Sequence, residues 1–154
     1  MRAEAPHPRS MIAVDTNILV YSHREDSPFH PKAKKRLTEL AESGAPWAIP
    51  WPCVYEFLAI ITHPKIYRPP TPLKEALQQV EYWLECPTLL LLSELSKDFF
   101  QPLKTLLLKA HLHGPQVHDA RIAHLCLEHG VDILWSADRD FSRFPSLRVQ
   151  NPLL

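Results

Sequence analysis

Ile12-Ala13-Val14-Asp15-Thr16-Asn17 is the stretch on which the fold turns. Three apolar residues run straight into three small polar ones. That is a short buried strand closing in a turn, with Asp15 at its C-terminal end. The same pattern returns at Ile133-Leu134-Trp135, which runs into Ser136-Ala137-Asp138. Trp47 to Pro50 and Thr88 to Leu92 read as two further strands, and Leu147 to Val149 as a fifth. Helical spacing fills the intervals. It predicts helices over 18–23, 30–42, 52–62, 73–84, 97–112 and 117–129. Ala33, Leu37, Leu40 and Ala41 form one apolar stripe, closed by Gly44; Leu103, Leu106, Leu107 and Ala110 form another, broken by Gly114-Pro115. Pro52 suits a first helical turn, Pro64 stops that helix, and Gly130 caps the last one. Strands alternating with helices predict an α/β domain. Its central, mostly parallel sheet has four or five strands, flanked by helices and joined by right-handed crossovers.

A chain of 154 residues with 45% apolar content builds one domain with a true core, here assigned to residues 11–154. Residues 1–10 are polar and Pro-bearing, and read as a flexible extension with no apolar segment of a signal peptide. Lys plus Arg equals Asp plus Glu, 17 each, so the net charge is zero. That excludes a nucleic-acid binder driven by global charge, but not a local basic patch. Cys53, Cys86 and Cys126 are odd in number and widely spaced, which fits buried, reduced thiols and a cytoplasmic location. No apolar run reaches the ~20 residues of a membrane helix.

Asp15 and Asp138 both end predicted strands. In an open parallel sheet the ligand crevice lies outside those ends, where the strand order reverses. Glu56 stands among Cys53, Val54, Phe57, Leu58, Ile60 and Ile61, where burial is costly unless the acid is paired or metal-bound. Asp119 opens another apolar helix, and Asp140 follows Asp138 by two. Singly, each has an ordinary explanation: Asp15 and Asp119 as helix caps, Glu56 as a first-turn acid, Asp138 and Asp140 as turn formers. Jointly, these acids arrive at one rim and repel one another unless a hard cation binds, and the oxygen-preferring choices are Mg²⁺ and Mn²⁺. Carboxylate-held divalent ions suit phosphoryl chemistry.

These segments, in this order, resemble the PIN-domain ribonucleases, and within them the VapC toxins of bacterial toxin–antitoxin pairs. The matching stretches are residues 12–17, the helix around Glu56, Val117-His118-Asp119-Ala120 with Ile122-Ala123, and Ser136-Ala137-Asp138-Arg139-Asp140-Phe141. The likeness continues through Leu125 to Gly130 and on to Asn151-Pro152-Leu153. It implies a PIN-like single domain acting as a metal-dependent endoribonuclease. It places catalysis on Asp15, Glu56, Asp119 and Asp138, with Asp140 as an additional acid. It places Mg²⁺, or Mn²⁺, on Asp15, Asp119, Asp138 and Asp140. Asn17 and Ser136 match polar residues that support these ligands. In-line attack on the phosphodiester would leave a 5′-phosphate and a 3′-hydroxyl. The resemblance further implies a homodimer blocked by a cognate VapB-type antitoxin. An apolar groove around Val54, Tyr55 and Leu58, beside the helix from Lys32, is the candidate seat for that partner. Trp135 is bulkier than the likeness leads one to expect before Ser136.

A neutral protein must still hold RNA. Arg24, Arg121, Arg139 and Arg143 lie near the rim in sequence and are the candidate phosphate contacts, the last two foremost. The run Lys32, Lys34, Lys35, Arg36 reads first as a solvated helix face, with RNA contact the alternative. Nine histidines show no H-E-x-x-H and no finger spacing, so they read as surface or satisfied side chains. Trp47, Trp51, Trp83 and Trp135 read as core or interface. Two rivals stand. A haloacid-dehalogenase-like phosphatase needs an acid two residues after the first-strand Asp, where this chain has Asn17. A PIN-fold binding module without catalysis would have no need of the complete acid set.

Overall fold

The computed structural model describes residues 11–154; the extension expected for residues 1–10 lies outside the described residues. The chain runs β1 Ile12–Val14, α1 Thr16–His23, α2 His30–Glu42, β2 Trp47–Pro50, α3 Trp51–Ile61, α4 Leu73–Glu85 and β3 Leu89–Leu92. A 3-10 turn at Lys97–Phe99 leads into α5 Phe100–Lys109, followed by α6 Gln116–Glu128 and β4 Ile133–Trp135. A second 3-10 turn, Arg139–Arg143, precedes β5 Arg148–Gln150.

All neighbouring strands are parallel, in the order β3-β2-β1-β4-β5. The chain builds outward from β1 to β3, then returns past β1 to lay down β4 and β5. The order therefore reverses between β1 and β4. With right-handed crossovers, α1 to α4 cover one face and α5 and α6 the other. The packing agrees: α1 lies on α2 and α3, α3 on α4, and α5 on α6.

Short apolar strands suit a parallel sheet covered on both faces. All four residues of β2 are buried, with Trp47 fully enclosed. α2 buries Ala33, Leu37 and Leu40 and turns its lysines outward, with Pro31 in its first turn. Phe57 of α3 meets Trp83 of α4 edge-on, ring centroids 4.7 Å apart. Cys53 and Cys126 are buried, whereas Cys86 is only half-buried. The helix predicted over 97–112 opens as a 3-10 turn and stops at Lys109, because His111 takes a left-handed backbone, φ 54°.

α6 ends as its sequence predicts. Gly130 has φ 71°, its N–H donates to Leu127 O, and Val131 N–H donates to Cys126 O. This double bond pattern satisfies the last carbonyls of the helix and needs a left-handed residue just beyond it. A Cβ on Gly130 would meet no atom within 4 Å, so the penalty of substitution is conformational alone. Gly130→Ala is expected to destabilise the protein by about 1 kcal/mol, read from urea-denaturation midpoints. An unchanged midpoint would refute this account.

Candidate active site

The site begins with a backbone bond. Asp15 N–H donates to Trp135 O at 2.9 Å, extending the β1–β4 pairing by one residue. This carries Asp15 and the residues after Trp135 to the same point on the rim. There the side chains knit the two strand ends together. Ser136 Oγ donates to Asp15 Oδ2 at 2.7 Å and accepts from Asp138 N–H at 3.0 Å. Asn17 Oδ1 accepts from Ala137 N–H at 3.2 Å. Asn17 Nδ2 lies 3.4 Å from Ser136 Oγ and 3.5 Å from Asp15 Oδ2. Asn17 and Ser136 thus stand beside Asp15 and the turn that carries Asp138.

Asp15 is only 5% exposed. Its Oδ1 accepts from Thr16 N–H at 2.8 Å and from the Cys53 thiol at 3.6 Å. Burial raises its pKa to about 6, and the nearby Glu56 charge adds to the rise; hydrogen bonds from Ser136, Thr16 and Cys53 oppose it. The buried acid of this site is therefore Asp15. Glu56, expected inside an apolar helix, is exposed: the apolar residues of α3 turn to the core on its other side. It is held at the rim by Thr16 Oγ1, 3.3 Å from Glu56 Oε2.

Asp119 lies inside the first turns of α6 and caps nothing, whereas Asp15 does cap α1. Asp138 caps the second 3-10 turn, its Oδ1 accepting from Asp140 N–H at 2.8 Å. Asp119, Asp138 and Asp140 come together, with one carboxylate oxygen of each within 4.8 Å of the others. Asp15, which the resemblance adds to the metal ligands, stands outside that group. Partial burial and the charges of Asp138, Asp140 and Glu56 push the Asp119 pKa up, against the Arg143 guanidinium. Three carboxylates, all oxygen donors, with one guanidinium 3.6 Å from Asp140, could hold a hard divalent cation.

Sequence reasoning missed Thr16 and Cys53, although the signal was there. Thr16 adjoins Asp15, and Cys53 lies in the first turn of the helix that carries Glu56. The arginines need correction. Arg24 lies at the far end of α1, bonded to Asp26 and Thr71 and stacked on Tyr67, because eight helical residues carry it about 12 Å from Asp15. Arg121 is turned onto Glu94 in a two-point ion pair. Arg139 and Arg143 remain at the rim, in the turn after Asp138. Val54 is buried in the core, so it lines no groove; Tyr55 beside it is 62% exposed and stacks on Trp51.

A PIN domain model matches residues 12–147. The chain belongs to the PIN domain family. Among its curated relatives, the ribonuclease VapC48 of Mycobacterium tuberculosis is 30% identical over 90% of this chain and 94% of its own length. Ribonuclease VapC43 of the same organism is 32% identical, covering 93% and 96%. Among solved structures, VapBC2 from Rickettsia felis bound to a promoter DNA fragment superposes with TM-score 0.64 at 18% identity, over 92% of this chain and 98% of that one. The toxin VapC20 of M. tuberculosis, described as cleaving the sarcin–ricin loop, gives TM-score 0.63 at 16% identity, over 85% and 92%. These structures share the PIN fold of this chain.

The raised Asp15 pKa has a stability consequence in this PIN domain. Its folded value, about 6, exceeds the 3.8 of a free side chain. The neutral acid is thus favoured by folding: that stability is complete below pH 4 and is lost as pH rises through 6. In EDTA, the stability of wild type relative to Asp15→Asn is expected to fall by about 2 kcal/mol between pH 4 and pH 7. Urea unfolding at both pH values tests this; parallel pH curves for the two proteins would contradict it.

Proposed function

We propose that this PIN domain is a divalent-cation-dependent endoribonuclease, the toxin of a toxin–antitoxin pair. The observation that carries the reading is the Asp119, Asp138, Asp140 cluster at the point of strand-order reversal. The relatives named VapC ribonucleases, and the neighbour described as cleaving an RNA loop, support it. Mg²⁺ or Mn²⁺, when bound, supplies the positive charge that polarises a phosphodiester and makes nearby water more acidic.

The protein's own groups do the rest. Asp119, Asp138 and Asp140 would hold the cation. Asp15, buried and fixed by Ser136, holds the strand end beside them and adds negative charge. Glu56 is exposed and oriented by Thr16, as suits a base that draws a proton from the attacking water. Arg139 and Arg143 lie one and five residues past Asp138 and meet the phosphate of the bound strand. Several structural neighbours are VapBC complexes, which supports a VapB-type antitoxin as the partner. A homodimer and a cytoplasmic location complete the proposal. Among the described residues no helix is long and apolar enough to cross a membrane. The phosphatase rival fails on Asn17, whose side chain bonds the β4 end and offers no second acid.

Purified protein with Mg²⁺ or Mn²⁺ is expected to cut total bacterial RNA into discrete fragments bearing 5′-phosphates. EDTA abolishes the fragments, and Asp119→Asn reduces them at least about 100-fold. No cleavage with metal present and antitoxin absent, with RNA binding retained, would replace the nuclease by a binding module.

A further inference from the structure

Among the described residues, the densest run of cations without an ion-pair partner is Lys32, Lys34, Lys35 and Arg36 on α2. Arg24 and Arg121 are taken up by Asp26 and Glu94, and Arg143 leans on Asp140. Lys32, Lys34 and Lys35 are exposed, and among the described residues none of them has an ion-pair partner. With Arg36 they share a shallow concave surface in which Glu39 is the one acid.

Apart from Glu39, at i,i+4 to Lys35, the charges at the start of this helix oppose one another. Lys32 stands at i,i+3 to Lys35 and at i,i+4 to Arg36, and like charges at those spacings repel. All four cations lie in the first half of α2, toward the positive end of the helix dipole, and the first turn holds no acid. Both terms weaken the helix and are relieved when an anion binds. The surface is also tied to the active site. The Arg36 guanidinium lies 5.2 Å from the Trp135 ring centroid, a cation–π contact, with its Nε enclosed. Trp135 is 4% exposed and is the residue whose carbonyl receives Asp15 N–H.

We propose that α2 is an RNA-docking face. Lys32, Lys34 and Lys35 grip the phosphates of the strand away from its cut bond, and Arg36, seated on Trp135, fixes the face relative to the acid cluster. The occupant, a substrate RNA backbone, rests on the ribonuclease reading. Lysines contacting phosphate give affinity without sequence choice. In a chain with zero net charge, a patch of this kind is what the polyanion requires.

The test measures binding of an RNA of about 25 nucleotides to the Asp119→Asn protein in EDTA, as a function of salt. Lys32→Gln/Lys34→Gln/Lys35→Gln is compared with Lys65→Gln/Lys74→Gln/Lys104→Gln, an exposed set with the same charge change. Circular dichroism checks that both fold. The α2 variant is expected to lose at least about tenfold in affinity at low salt, with a salt slope shallower by about two. The control set loses less than about threefold. Equal loss in both sets, or loss in neither, overturns the proposal. So does an α2 variant that keeps its RNA affinity but releases a co-expressed protein partner. If wild type cuts no RNA and the α2 variant still loses binding, the docking face stands and the nuclease reading falls. If wild type cuts RNA and the α2 variant binds normally, the docking face alone falls.

Discussion

Everything at this site depends on the seam between β1 and β4. Parallel pairing puts Ile12, Ala13 and Val14 opposite Ile133, Leu134 and Trp135, and the backbone bond from Asp15 to Trp135 carries the register past the strand ends. Beyond that bond there is no more sheet, and Ser136 and Asn17 replace the ladder with side chains. A slip of one residue would turn Asp15 to the opposite face of the sheet and strand its carboxylate away from Ser136. The register therefore positions the chemistry, and the buried rows that set the register are apolar.

The acids divide by surroundings. Asp15 is dry, fully hydrogen-bonded and raised in pKa. Asp138 and Asp140 sit on a short, partly open turn, with Asp119 approaching from α6. The first lies in the β1–β4 junction, and the other three gather negative charge at one point of the rim. Glu56, on a different helix and exposed, still adds its charge to the repulsion felt by Asp15 and Asp119.

Much of this was legible in the sequence because local and global signals agree. α2, β2 and β4 begin and end where apolar spacing and Pro or Gly punctuation put them. The apolar stripe of α2 and the wholly apolar runs of β2 and β4 match their burial, so nothing in the fold competes with them. The misses have tertiary causes. The Leu-rich stripe near residue 110 continues past the point where His111 bends the backbone. Arg121 looked free because Glu94 is 27 residues away, and Arg24 looked near the rim because sequence distance ignores helix direction. For Glu56, the apolar neighbours were read correctly, but only the packing of α3 shows that they lie on its other side.

The seam joins residues that are 121 positions apart. Until Ser136 has left the ribosome, Asp15 has no partner across the gap, and β1 has an open edge on the side β4 will fill. Such long-range closure comes late in folding, after local helices have formed. A chain cut short between α6 and β4 would contain Asp15, Glu56 and Asp119, yet would lack the strand end that brings Ser136 and Asp138 to them. Order of synthesis thus delays the acids' meeting until β4 and the turn after it have been made.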